Sequence, residues 1–154
     1  MKTYPEDTRM VLTDLVQINN DRIKAYEKAI HELPDAGNGD LKAIFADMIK
    51  ESHRFRNELL EELEVSRQNT DIGTTAAGTI YRAWMDIKNM FDDADRKSIL
   101  DSCEHSEDAV QKAYKQALDE EHIPAFIKEI IKNQQHSLKL SHDQIRVLRN
   151  QQRG

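Results

Sequence analysis

Apolar residues recur along this chain at intervals of three and four, the period of a helix with one buried face. Leu12, Leu15, Val16, Ile23, Tyr26, Ile30 and Leu33 fall within about 60° of one line at 100° per residue, which predicts a first helix over about 7–33. Pro34 disfavours helical geometry in the residue before it, and Asp35-Ala36-Gly37-Asn38-Gly39-Asp40 supplies turn chemistry, with Asp40 as the expected N-cap of the next element. A second stripe, Leu41, Ile44, Phe45, Met48, Ser52, Phe55, Leu59 and Leu63, lies opposite Lys50, Arg54, Glu61 and Glu64 and predicts a helix over about 40–65. Residues 66–75 are polar and aperiodic. Ile80, Trp84, Ile87 and Phe91 then repeat at spacings of 4, 3 and 4, predicting a shorter helix over about 76–91, some 24 Å long. Asp92-Asp93-Ala94-Asp95 breaks it and can cap a helix over about 95–119, striped by Ile99, Cys103, Val110, Tyr114 and Leu118. Pro124 suits the first turn of a last helix, about 124–149, which carries Ile127, Ile130, Ile131, Leu138, Ser141, Ile145 and Leu148 on one side.

Four long helices with one apolar stripe each bury those stripes by facing a shared centre, so the expected fold class is all-α, a four-helix bundle forming one domain over 1–154. The short links make helices one and two a hairpin, and likewise the last two. The middle link of roughly 28 residues contains a helix nearly as long as the bundle's side, enough to carry the chain end to end. That single long crossover is the ferritin-like arrangement; the rival reading folds the short helix back and gives simple up-down order.

Composition narrows the class further. Five Gly and three Pro in 154 residues, with 32% charged residues, favour long helices over sheets. The net charge of −6 opposes sequence-independent binding to nucleic acid. No stretch approaches ~18 apolar residues and the start lacks the apolar core of a signal peptide, so neither a membrane span nor export is expected. The lone Cys103 excludes a disulfide scaffold and fits a reducing cytoplasm. No Gly-x-Ser-x-Gly elbow or phosphate-cradling glycine loop is present, which removes hydrolase and nucleotidase readings.

Chemistry in a bundle is sought where polar side chains interrupt the apolar stripes, because their burial costs free energy unless they are paired. Asn19 falls at the centre of the first stripe, Ser52 on the second with Glu51 at its border, Glu107 on that of the helix over 95–119, and Gln134 with His142 on the last. A faint repeat joins them. Ala25-Tyr26-Glu27-Lys28-Ala29-Ile30 resembles Ala113-Tyr114-Lys115-Gln116-Ala117-Leu118, and Asn19 precedes Tyr26 by seven residues just as Glu107 precedes Tyr114. Two hairpins related by a pseudo-twofold axis would produce this pattern.

These positions resemble the scheme of rubrerythrins and other di-iron members of the ferritin-like superfamily, in which Glu stands seven residues before Tyr on two helices and Glu-x-x-His lies on the other two. The match is incomplete: Asn19 stands in place of the first Glu, Glu107 matches, Glu51-Ser52-His53-Arg54 has Arg where His is needed, and Asn133-Gln134-Gln135-His136 turns His136 away from the core. More closely, residues about 9–149 resemble an uncharacterised bacterial four-helix-bundle family assigned to that superfamily. The likeness rests on Leu12-Thr13-Asp14-Leu15, Asn19-Asn20-Asp21, Tyr26, Glu51-Ser52, Phe55, Arg82-Ala83-Trp84-Met85-Asp86-Ile87-Lys88, Asp95-Arg96-Lys97, Glu104, Glu107-Asp108, Tyr114 and His142-Asp143-Gln144-Ile145. It implies the fold and no activity.

Two functional readings stand side by side. In the first, Asn19, Ser52, Glu107 and Gln134 satisfy one another and the Tyr26 and Tyr114 hydroxyls in a central polar layer, with the acid protonated or paired to an Arg. The protein is then a non-enzymatic interaction or stress-associated module with a degenerate metal site and no cofactor. In the second, Glu51, Glu107 and His142 ligate iron or manganese in an oxidoreductase of rubrerythrin type. His31, His53, His105, His122 and His136 read as surface histidines, and Cys103 as a small buried hydrophobe. Trp84 and Met85 cap the bundle's side or form a homodimer contact; a second copy or another protein is the expected partner, rather than nucleic acid or a membrane.

Overall fold

The computed structural model describes residues 6–66, 78–85 and 95–151. The described residues form an all-α structure of five helices: α1 (Glu6–Glu32), α2 (Gly39–Ser66), α3 (Thr79–Met85), α4 (Arg96–Leu118) and α5 (Ala125–Gln151). The long elements lie where the apolar period places them. The short one differs at its start, because Gly78 precedes the helix rather than belonging to it; the expected positions 76–77 and 86–91 lie outside the described residues.

Local chemistry accounts for most of the boundaries. After α1 the chain turns through Gly37, whose φ of 79° is cheap only without a Cβ. Asn38, rather than Asp40, holds the cap position of α2: its carbonyl accepts the first helical bond from Lys42 N, and its Nδ2 donates to the carbonyl of Pro34 at 2.8 Å. Asp40 sits in the first turn instead and pairs with Arg96 at 3.0 Å, tying the start of α2 to the start of α4. Asp95 caps α4, its carboxylate accepting from Ser98 N at 3.3 Å, and Pro124 accepts the first bond of α5 through its carbonyl.

The register of side-chain pairs gives the helix directions. Arg22 meets Ser52 and Asn20 meets Arg56, so α1 and α2 are antiparallel. Arg149 meets Asp101 and Tyr114 meets Gln134, so α4 and α5 are antiparallel. Asn19 meets Tyr114 and Tyr26 meets Glu107, which sets α1 antiparallel to α4. It follows that α2 and α4 point the same way, and that the connection between them takes the chain from one end of the array to the other. The described part of that connection, α3, packs against both α1 and α4 and runs along α1 from the level of Asp14 to that of Asp21.

Two carboxylates on α1, seven residues apart, hold α3 in place. Asp14 accepts from the backbone N–H of Gly78 at 2.9 Å and of Tyr81 at 3.3 Å, satisfying donors that the first turn of a helix leaves free. Asp21 accepts from the Tyr81 hydroxyl at 2.6 Å and the Trp84 indole N–H at 3.0 Å. The close approach at Gly78 leaves no room for a side chain: a Cβ there would lie 2.2 Å from the Asp14 carboxylate.

The apolar interior falls into two clusters. One gathers Leu12, Leu15, Phe55, Leu59, Trp84, Tyr114, Ile127 and Leu138; the other gathers Tyr26, Phe45, Met48, Ile99, Cys103 and Ile145. Arg22, Ser52 and Glu107 come between them in register along α1, α2 and α4, all essentially buried. No helix among the described residues is long and apolar enough to cross a membrane.

Candidate functional site

The layer between the two apolar clusters is organised by a cation. Arg22 is 1% exposed, and its guanidinium donates from Nε and Nη2 to the two carboxylate oxygens of Glu107, each at 2.9 Å. Its remaining nitrogen, Nη1, donates to Ser52 Oγ at 2.7 Å and to Glu51 Oε1 at 3.0 Å. The planar fork of an arginine thus spans α1, α2 and α4, which a lysine's point charge would not do. Tyr26 adds its hydroxyl, donating to Glu107 Oε2 at 2.8 Å, and the Arg22 guanidinium carbon sits 5.4 Å from the centre of the Tyr26 ring. Glu51 is shared with α5: Ser137 Oγ donates to it at 2.6 Å and Ser141 Oγ at 3.1 Å.

A second set of bonds lies one turn away. Asn19 Nδ2 donates to the Leu15 carbonyl at 2.8 Å and to the Tyr114 hydroxyl at 3.0 Å. That hydroxyl donates in turn to Gln134 Oε1 at 2.7 Å, and Gln134 Nε2 reaches the Phe55 carbonyl at 3.2 Å and Glu58 at 2.9 Å. Each tyrosine therefore bonds the polar residue of the opposite repeat, Tyr26 to Glu107 and Tyr114 to Asn19. This is the crosswise pattern that a pseudo-twofold axis between α1 and α4 generates.

The electrostatics follow from burial against this one cation. Burial alone draws the Arg22 guanidinium down, but the charge of Glu107, the neighbouring Tyr26 and the bonds to Glu107 and Glu51 more than reverse it, so Arg22 is held above its ordinary value and stays charged. Burial, then the Glu107 charge, pushes the Tyr26 phenol well up. Burial likewise raises Tyr114. The Cys103 thiol is fully buried and is pushed up by burial and then by Glu107, which leaves it a neutral core residue rather than a nucleophile.

Of the residues singled out in the sequence, Asn19, Ser52, Glu107, Gln134, Tyr26 and Tyr114 are buried and Glu51 lies at the edge of the layer. His142 is brought elsewhere. Its Nε2 meets Asp108 Oδ1 and its Nδ1 lies 3.2 Å from Asp143 Oδ1, so both ring nitrogens face carboxylates on the α4–α5 seam rather than Glu107 or Glu51. The bond from His142, then that from Lys139, holds the Asp143 carboxyl below its usual range. His136 is exposed. Among the described residues no group of three or more His, Cys, Asp or Glu side chains comes together as metal ligands do.

Sequence reasoning missed Arg22 itself. Its position carried the signal: Arg22 stands three residues after Asn19 and four before Tyr26, so it shares their face of α1. The Asp14 and Asp21 pair, again seven residues apart, was visible only as part of a resemblance.

A family described as "Domain of unknown function (DUF2383)" matches residues 7–120, which span α1 to α4. No curated protein matches the chain.

Proposed function

The chain belongs to the DUF2383 family, and on that premise we propose that it is a ferritin-like four-helix bundle in which an internal arginine holds the place of a metal centre. We read it as a non-enzymatic interaction module, active in the cytoplasm under stress, whose partner is a protein, either a second copy of this chain or another. The parallel α2 and α4, with α3 of the connecting segment lying lengthwise along α1, support the ferritin-like connectivity, since simple up-down order would set α2 and α4 antiparallel.

The observation that carries the reading is the bidentate Arg22–Glu107 pair. A metal centre in such a bundle draws on several carboxylates and imidazoles with free lone pairs. Here both oxygens of Glu107 point at a guanidinium, Glu51 is divided between that guanidinium and two serines, and the corresponding positions on α1 and α5 hold the neutral amides Asn19 and Gln134. A divalent ion beside Glu107 would lie against a fixed positive charge in a poorly screened interior. The residues present do not fit an iron or manganese centre. What the layer supplies is specificity: two apolar clusters joined by one polar register that a slipped packing would leave unsatisfied.

The test is elemental analysis of the protein purified in the presence of iron and of manganese, alongside Glu107→Ala. Sub-stoichiometric metal in both proteins is the expected outcome. Stoichiometric metal that disappears in Glu107→Ala would overturn the reading in favour of a rubrerythrin-type oxidoreductase using Glu51, Glu107 and His142.

A further inference from the structure

A cavity of about 320 Å³ opens between α3 and α4, and none of its lining residues belongs to the Arg22 layer. Its apolar walls are Ile80 and Trp84 from α3 and Ala109 and Ala113 from α4. The two alanines, four residues apart, lie on one face of α4 and leave the gap that larger side chains would close. The Trp84 indole N–H is already given to Asp21 at 3.0 Å, so that donor needs no partner in the cavity.

The rim is ionic, and its balance differs from that of the chain as a whole. Asp108 already has partners, meeting His142 and lying 3.9 Å from Arg146. His105 and Lys112, seven residues apart on the same α4 face, have no hydrogen-bond or ion-pair partner among the described residues. On a protein of net charge −6 the unspent polarity at this mouth is therefore cationic and hydrogen-bond donating.

We propose that the α3–α4 cavity binds a small amphipathic monoanion, with its apolar body against Trp84, Ala109 and Ala113 and its carboxylate at Lys112 and His105. The volume is at the lower end of small-molecule sites and suits a body of roughly a dozen non-hydrogen atoms. At ordinary ligand efficiency such a compound binds with a Kd of about 1 mM, as expected of an unoptimised probe. This site is independent of the polar layer, so its failure leaves the reading of Arg22 untouched, and the reverse holds as well.

Trp84 is the only tryptophan in the chain, so its emission reports this cavity directly. The full chain is titrated with 4-phenylbutyrate, 4-phenylbutan-1-ol and 4-phenylbutylammonium at constant ionic strength, and shift changes in amide NMR spectra are mapped in parallel. The carboxylate is expected to bind more tightly than the ammonium by roughly threefold or more, with shifts centred on Trp84, Ala109 and Ala113. Lys112→Met keeps the apolar stem, removes the charge and should weaken the carboxylate about threefold while leaving the alcohol unchanged. Ala109→Leu should block all three ligands, and Ala83→Leu, on the exposed side of α3, supplies the same blockage should the first variant fold poorly. Equal affinity for acid and amine, a carboxylate affinity unchanged in Lys112→Met, or shifts that map elsewhere would each overturn the proposal, as would the absence of any binding at 10-fold above the expected Kd of about 1 mM.

Discussion

Replacing Arg22 with Met removes the guanidinium while keeping most of the apolar stem, and thereby isolates the charge. In the native protein that charge meets Glu107 through two bonds of 2.9 Å and Glu51 through one of 3.0 Å, at 1% exposure. Without it, Glu107 is left buried with the Tyr26 hydroxyl as its remaining donor on α1. Removing one member of a buried ion pair costs about 3–5 kcal/mol, most of it the penalty on the partner left behind. Against a total stability of about 5–15 kcal/mol that is a large share, and for a domain of this size it lowers Tm by roughly 6–20 °C. Arg22→Met with Glu107→Leu discards both charges together, so it should recover most of the loss and show a coupling of about 2–3 kcal/mol. Glu51 does not undo this recovery, because it is 12% exposed and keeps its bonds from Ser137 and Ser141. Urea unfolding followed by far-UV circular dichroism at pH 7, fitted for midpoint and slope, gives all four corners of the cycle. A single Arg22→Met cost under about 1 kcal/mol, or a double variant as poor as the sum of the two singles, would show that the pair does not organise the interior.

Three other perturbations probe the remaining contacts. Gly78→Ala places a Cβ 2.2 Å from Asp14 Oδ2 and 2.9 Å from Met10 Cγ, so α3 must move off α1; a loss of about 1–3 kcal/mol and a red shift of Trp84 emission are expected, and unchanged emission would contradict the clasp. Asn19→Leu removes one bond to the Tyr114 hydroxyl, which still donates to Gln134, so thermal melts should show a change of about 1 kcal/mol or less; a large loss would mean that Asn19 supports more than that bond. Burial pushes the Asp14 carboxyl above its ordinary value despite the bonds from Gly78 and Tyr81, so between the unfolded and folded values the native state holds the extra proton. The stability this provides is present below the unfolded value and lost as pH rises, so wild type should weaken relative to Asp14→Asn as pH rises above the ordinary aspartate value of about 4 in urea melts; a relative gain over that rise would contradict the raised carboxyl.

The long helices were legible because each buries one stripe, and a period of 3.6 survives in the sequence whatever the neighbouring helices are. Breaks were legible wherever Pro or Gly made them, as at Pro34 and Pro124. Cap identity was less so: Asn38 and Asp40 are both good capping residues two positions apart, and Arg96 of α4 donates to the side chains of both, a long-range contact that no local pattern announces. The polar positions Asn19, Ser52, Glu107 and Gln134 could be read as interruptions of an apolar stripe. Arg22 could not be read that way, because a projection by hydrophobicity assigns a cation to solvent by default, and its burial depends on acids supplied by two other helices. His142 was placed on the right face of α5, yet its partner Asp108 lies beside Glu107 rather than on it, a difference of one residue and about 100° around α4.

The repeat explains why one arginine is enough. Carrying α1 onto α4 by the spacing that relates Tyr26 to Tyr114 brings Asn19 onto Glu107 and Arg22 onto Val110. The two halves therefore share a tyrosine and diverge in charge: α1 contributes the cation and a neutral amide, α4 the anion and an aliphatic residue. Correct pairing of α1 with α4 joins Arg22 to Glu107, whereas an α1–α1 pairing in the same register would bring two buried arginines level with each other. Like charges brought together without water cost several kcal/mol, so the divergence penalises the wrong partner as well as satisfying the right one. A pair of buried charges that adds little net stability over an apolar pair can still be favoured for this reason.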